Sequence, residues 1–166
     1  VIAIDDEDSQ KLLRLFNEFE SVRCAKIEVK DPGPKYTRIL KATEGRMNIS
    51  GAWGSSQSIE AYDRGIHALM PSGMPELFVN VYELYHKGKR DKAMELFFDM
   101  LPVISFTRQS QPLNRYFHKL YFKKIGVFEE AVSREEVFFD EYHQRYAEDL
   151  IDYAIALRDK IPSYWA

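Results

Sequence analysis

The chain has 166 residues, of which 45% are hydrophobic and 30% charged, a composition that excludes disorder and suits one domain of ordinary size. Its net charge of −3, with basic residues scattered apart from Lys119, Lys123 and Lys124, gives no electrostatic case for nucleic-acid binding. One cysteine, Cys24, excludes an internal disulfide, and no apolar run approaches the roughly 20 residues that span a bilayer.

In chain order, Val1–Ile4 is a short β-prone run, and the opening VIAIDDEDSQ lacks the basic start and apolar stretch of a signal peptide. The expectation is a soluble cytoplasmic protein. Asp8 or Ser9 is placed to cap a helix whose stripe is Leu12, Leu13, Leu15, Phe16 and Phe19. Val22–Val29 reads as a strand, broken by Asp31-Pro32-Gly33-Pro34. A short helix follows over Tyr36–Ala42, with Gly45 just beyond it. Met47–Trp53 is the next strand, Ile59–Arg64 a helix stopped at Gly65, and Ile66–Met70 a third strand. Pro75 suits a helix start, and that helix runs to about His86. Helices are predicted over Asp91–Met100, continuing with a bend at Pro102, and over Leu113–Lys124. Ser133-Arg134-Glu135-Glu136 has capping-box spacing and is expected to open a final helix or helix pair reaching about Lys160. The first part therefore alternates strand and helix, which implies βαβ units and a parallel sheet, and the second part is all helix.

The segment that carries chemistry is Cys24-Ala25-Lys26-Ile27-Glu28-Val29. Alternation puts Ala25, Ile27 and Val29 on one face and Cys24, Lys26 and Glu28 on the other. If the apolar set packs on helices, Lys26 points inward near the strand's C-terminal end, where barrel active sites lie. Burial disfavours an ammonium, and the neutral amine is the form that attacks a ketone. Glu28 is then placed to orient a proton or a water. On this stretch alone, a half-exposed strand with Lys26, Glu28 and Lys30 on its wet face remains open.

The neighbouring segments add an ordered series. After AKIEV come Asn48-Ile49-Ser50-Gly51-Ala52-Trp53, then Asp63-Arg64-Gly65-Ile66-His67-Ala68-Leu69-Met70-Pro71-Ser72. Pro75-Glu76-Leu77 and Leu84-Tyr85-His86-Lys87-Gly88-Lys89-Arg90-Asp91-Lys92-Ala93 follow, then Leu101-Pro102 and His118–Gly126. Across roughly residues 8 to 126 this series resembles the C-terminal portion of the dihydrodipicolinate synthase and N-acetylneuraminate lyase family of Schiff-base lyases. The fold implied is α/β, the last βα units of a (β/α)8 barrel over residues 1–73 followed by a helical region over 74–166. The resemblance implies that Lys26 forms a protonated imine with pyruvate or another 2-oxo acid, without metal or organic cofactor. It assigns Gly51, Ala52, Met70 and Ser72, with Glu28, to the keto-acid site or its mouth, and it implies a homo-oligomer. Ala52 and Trp53 stand where synthases often carry acidic residues, which argues against dihydrodipicolinate synthase activity itself. A non-catalytic barrel homologue, serving as scaffold or small-molecule sensor, is the alternative, and a helical interaction module over residues 74 to 160 is a third reading.

The remaining candidates carry less. Cys24 is expected to pack rather than to serve as a second nucleophile. His67 is expected to be packed in a strand and His86, His118 and His143 to sit on helix surfaces, without metal-ligand spacing. The aromatic residues follow helical faces, as core or subunit interface does. The keto-acid carboxylate turn and the proton-relaying tyrosine of the resembled family have no counterpart here. A barrel needs about 250 residues, and three or four strands do not close one. The chain is therefore expected to be a piece of something longer or half of an assembly. Native mass spectrometry checks this: a well-folded 166-residue monomer with no other polypeptide present counts against it.

Overall fold

The computed structural model describes residues 6–52 and 55–162, with side chains from Ser9 onward. The expected strand at Val1–Ile4, and Trp53 at the end of the second expected strand, lie outside the described residues. The chain divides into two compact units, Val1–Met70 and Pro71–Ala166.

The first unit alternates as its sequence suggests: α1 (Asp6–Glu18), β1 (Cys24–Ile27), α2 (Gly33–Ala42), β2 (Asn48–Gly51), α3 (Ser58–Asp63) and β3 (Ala68–Leu69). The three strands form one parallel sheet in chain order. Each strand is shorter than the β-prone run containing it. The helix of Leu12–Phe19 begins at Asp6, before the expected cap. Of its stripe Phe16 is buried, while Leu15 and Phe19 remain exposed. Ile27, Tyr36, Ile39, Met47 and Ile49 are fully buried and make this unit's core. Burying side chains of this size stabilises by about 1.5–3 kcal/mol each. α2 stops where expected, with Gly45 at φ +72° in the left-handed region that ends helices.

The second unit is helical: α4 (Pro75–His86), α5 (Arg90–Thr107), α6 (Gln111–Lys124) and α7 (Glu141–Arg158). Pro75 occupies the first turn of α4. α5 runs through Pro102 as one helix. Leu77, Val81, Ala93, Met100, Val103, Phe117, Tyr121, Ala147 and Ala154 pack between these helices at 1% exposure or less.

Two sequence expectations fail in this unit. Ser133–Glu136 caps nothing: residues 127–140 are non-helical, and α7 starts at Glu141. The cap is Asp140, whose carboxylate accepts from the N–H groups of Tyr142 and His143 at 3.1 and 2.9 Å. Glu135 instead forms a two-point pair with Arg115, which draws it out of any capping geometry. The segment runs back along α6, where Lys119 donates to the Val132 carbonyl at 2.7 Å and Lys123 pairs with Glu130 at 2.6 Å. Arg115, Lys119 and Lys123 are four residues apart, so they share one helix face and grip the returning segment in reverse order.

The second failure is His118, which is buried rather than on the surface. It continues the α6 stripe of Leu113, Asn114, Phe117 and Tyr121, and it packs on Gly73, where a Cβ would come within 2.2 Å of its Nδ1. That nitrogen has no hydrogen-bond partner among the described residues. Burial lowers the His118 pKa to about 4. An unfolded histidine titrates near 6.5, so between these values the unfolded chain binds a proton that the folded one refuses. Stability is therefore expected to fall as pH drops from about 6.5 to about 4, with a slope approaching ~1.4 kcal/mol per pH unit from this residue. Denaturant titrations at stepped pH check this, and His118→Gln is expected to remove that part of the slope.

Candidate active site

The register fixes which side chains meet. Lys26 pairs with Ser50 and Ser50 with Ala68, while Ile27 pairs with Gly51 and Gly51 with Leu69. Laterally paired residues of a parallel sheet point to the same face. Lys26, Ser50 and Ala68 therefore form a row on one face. Ala25, Ile27, Ile49, Gly51 and Leu69 occupy the other.

The Gly51 face is the packed one. A Cβ on Gly51 would lie 2.6 Å from the Tyr36 hydroxyl, 2.7 Å from Leu69 Cδ2 and 3.1 Å from Ile66 Cδ1. α2 thus covers this face through Tyr36, and only glycine leaves room for it. The Tyr36 hydroxyl is buried without a partner at hydrogen-bonding geometry. Burial pushes its pKa up to about 12, an effect that the nearby Ala52 N–H only partly offsets and that Glu60 reinforces.

Lys26 stands on the opposite face. Its Nζ lies 3.3 Å from Glu28 Oε2, with side-chain exposures of 28% and 30%, so the pair is neither sealed nor fully hydrated. Ser50, laterally adjacent, is buried. Sequence reading passed over Ser50 and Tyr36. Aligning the period-two patterns of the two strands would have found Ser50, whereas the Tyr36 contact depends on how α2 crosses the sheet.

The other expected site residues scatter. Ala52 is buried just past β2, and Met70, whose N–H bonds the Gly51 carbonyl at 3.1 Å, is half-exposed. Ser72 belongs to the second unit and is exposed. Cys24 is exposed at the start of β1 rather than packed, because its place precedes the part of the strand that the core covers. His67 lies just before β3, and its Nδ1 accepts from the Ile49 N–H at 3.1 Å, so its ring ties β2 to the chain entering β3. Beyond the β1 and β2 ends lies a cavity of about 380 Å³ lined by Lys30, Asp31, Pro32, Ser56, Gln57 and Glu60, among others. Lys26 does not line it. Among the described residues, no group of three or more His, Cys, Asp or Glu side chains is placed to hold a metal ion, and no helix is long and apolar enough to cross a membrane.

No protein-family model and no curated protein matches the chain. Its fold does match solved structures. Dihydrodipicolinate synthase from Rhodopseudomonas palustris superposes with a TM-score of 0.65 at 22% identity, over 78% of this chain and 45% of that one. The enzyme of that name from Oceanobacillus iheyensis gives 0.76 at 13% identity, over 92% of this chain and 51% of that one. The 4-hydroxy-tetrahydrodipicolinate synthase from Methylacidiphilum fumariolicum SolV gives 0.74 at 12%, over 92% and 50%. The chain thus has the α/β fold of about half of a dihydrodipicolinate synthase-type structure, and it spans about half the length of the structures it matches.

The packing at Gly51 gives a direct test. Gly51→Ala is expected to destabilise by about 1–3 kcal/mol through overpacking. Adding Tyr36→Phe should recover part of that loss, because it removes the nearest clashing atom while Leu69 stays. Chemical denaturation of the two single variants and the double variant checks it, and strictly additive effects would exclude the contact.

Proposed function

We propose that this chain carries the imine-forming lysine of a lyase or aldolase of dihydrodipicolinate synthase type, acting on pyruvate or another 2-oxo acid. The observation that carries this reading is the position of Lys26. It lies on the sheet face opposite the packed α2 layer, at the C-terminal part of β1, with its amine 3.3 Å from a carboxylate. The likeness to dihydrodipicolinate synthase structures supports it at the level of fold.

In this reading the three strands are the last part of an eight-stranded barrel whose other strands belong to the rest of the whole protein. Ala52 and Met70 border the keto acid, and the protein works as a homo-oligomer in the cytoplasm. The neutral Lys26 amine adds to the ketone carbon to give a carbinolamine, which loses water to give a protonated imine. The cationic nitrogen draws electrons from the adjacent carbon. Loss of a proton there gives an enamine, the nucleophile for carbon–carbon bond formation, and the reverse sequence cleaves that bond. Lys26 itself supplies the electron sink.

A second reading, a non-catalytic binding or scaffold protein, is favoured by Ala52. It is buried and supplies no acidic group at the β2 turn.

Borohydride reduction in the presence of pyruvate separates the two. The full-length protein is expected to gain one reduced pyruvyl group, mapped to the peptide containing Lys26. Lys26→Arg keeps a cation beside Glu28 but provides no imine-forming amine, so it should show no adduct and lose turnover. Keto-acid binding that survives this substitution, with no adduct on the wild type, would establish the second reading instead.

A further inference from the structure

Resting on the Lys26 reading, we propose that Glu28 is a catalytic acid–base residue, the group that takes the proton from the Lys26 ammonium and returns it to the departing hydroxyl. Glu28 follows Lys26 by two residues, just past the end of β1, and the extended backbone there brings its carboxylate to the Lys26 amine. The contact between Nζ and Oε2 is 3.3 Å, within one small movement of a direct proton transfer. Both groups are partly shielded, at 28% and 30% exposure, and Ile27 between them is fully buried, which fixes the backbone that sets their separation. No other charged side chain occupies the paired positions of this row, since β2 offers Ser50 and β3 offers Ala68.

The proton inventory closes. The ammonium passes one proton to the Glu28 carboxylate, leaving a neutral amine and a carboxylic acid. The amine lone pair forms the carbon–nitrogen bond as the ketone π pair moves to oxygen, and the proton on nitrogen passes to that oxygen to give a neutral carbinolamine. Glu28 then donates its proton to the carbinolamine hydroxyl. The carbon–oxygen bond breaks with release of water, nitrogen's lone pair completes the iminium, and Glu28 returns to carboxylate. No oxidant, reductant or metal enters. The carboxylate begins and ends ionised beside a cation, first the ammonium and then the iminium, so the charge pattern it faces is the same at both ends of the step.

A purely structural ion pair makes the opposite prediction for one substitution. A carboxylate beside an ammonium stabilises the charged form, which cannot attack. If holding that charge were its whole task, Glu28→Gln would free the amine and leave imine formation as fast or faster. As an acid–base group, its loss slows the step by about 10²-fold or more.

The experiment measures the rate of reductive trapping with pyruvate in the full-length protein, for wild type, Glu28→Gln and Glu28→Asp, with melting curves confirming that each is folded. The expected result is trapping slowed about 10²-fold in E28Q and largely regained in E28D, which keeps a carboxylate. Wild-type trapping with E28Q equal to or faster than it overturns the role of Glu28 and leaves Lys26 as the imine former. Absence of a wild-type adduct overturns both.

Discussion

The first unit depends on one constraint: the close packing of the sheet face that carries Ile27 and Gly51. Ile27 is fully buried and its neighbour in the sheet, Gly51, lies so tightly under the Tyr36 hydroxyl that no side chain fits. This close packing ties α2 to the sheet. Because strand side chains alternate, fixing Ile27 inward also fixes Lys26 and Glu28 on the other face. A slip of one residue in the register would bury an ion pair and expose isoleucine. The position of the amine is therefore enforced by apolar packing behind it rather than by any contact of its own.

The pair itself is weakly held. A partly exposed salt bridge contributes on the order of 0–1 kcal/mol, so it adds little to the fold. Its place in the account is the proposed one, as the proton acceptor beside the amine. The second unit secures itself by other means. Its helices bury an apolar core, and residues 127–140 are fastened along α6 by Arg115, Lys119 and Lys123. Within it, burial disfavours the charged form of His118 and lowers its pKa.

Much of this was legible in the sequence, for identifiable reasons. The alternation of Lys26 with Ile27 is local and survives folding, so the face assignment could be read directly. Parallel pairing followed from strand and helix alternation, and α4 came out at its expected bounds because Pro75 and the Gly88 turn mark both ends. Other features needed partners that no local pattern reveals. Ser133–Glu136 has capping-box spacing, but Arg115, twenty residues earlier, claims Glu135, and a lone aspartate at 140 does the capping. His118 could have been found by completing the stripe through Leu113, Phe117 and Tyr121, had its residue type not suggested a surface. The resemblance assigns Gly51 to the keto-acid site, while the reason for its lack of a side chain lies in Tyr36, which packs against it on the face away from Lys26.

The central claim is that the Lys26 amine, aimed away from the packed layer, is the group that bonds to a keto acid. A crystal structure of the full-length protein after reduction with pyruvate tests it most directly. The account predicts continuous density from Lys26 Nζ into a three-carbon carboxylate, with Glu28 within hydrogen-bonding reach of that nitrogen. Density on a different lysine, or an unmodified Lys26 beside a bound keto acid, would contradict it.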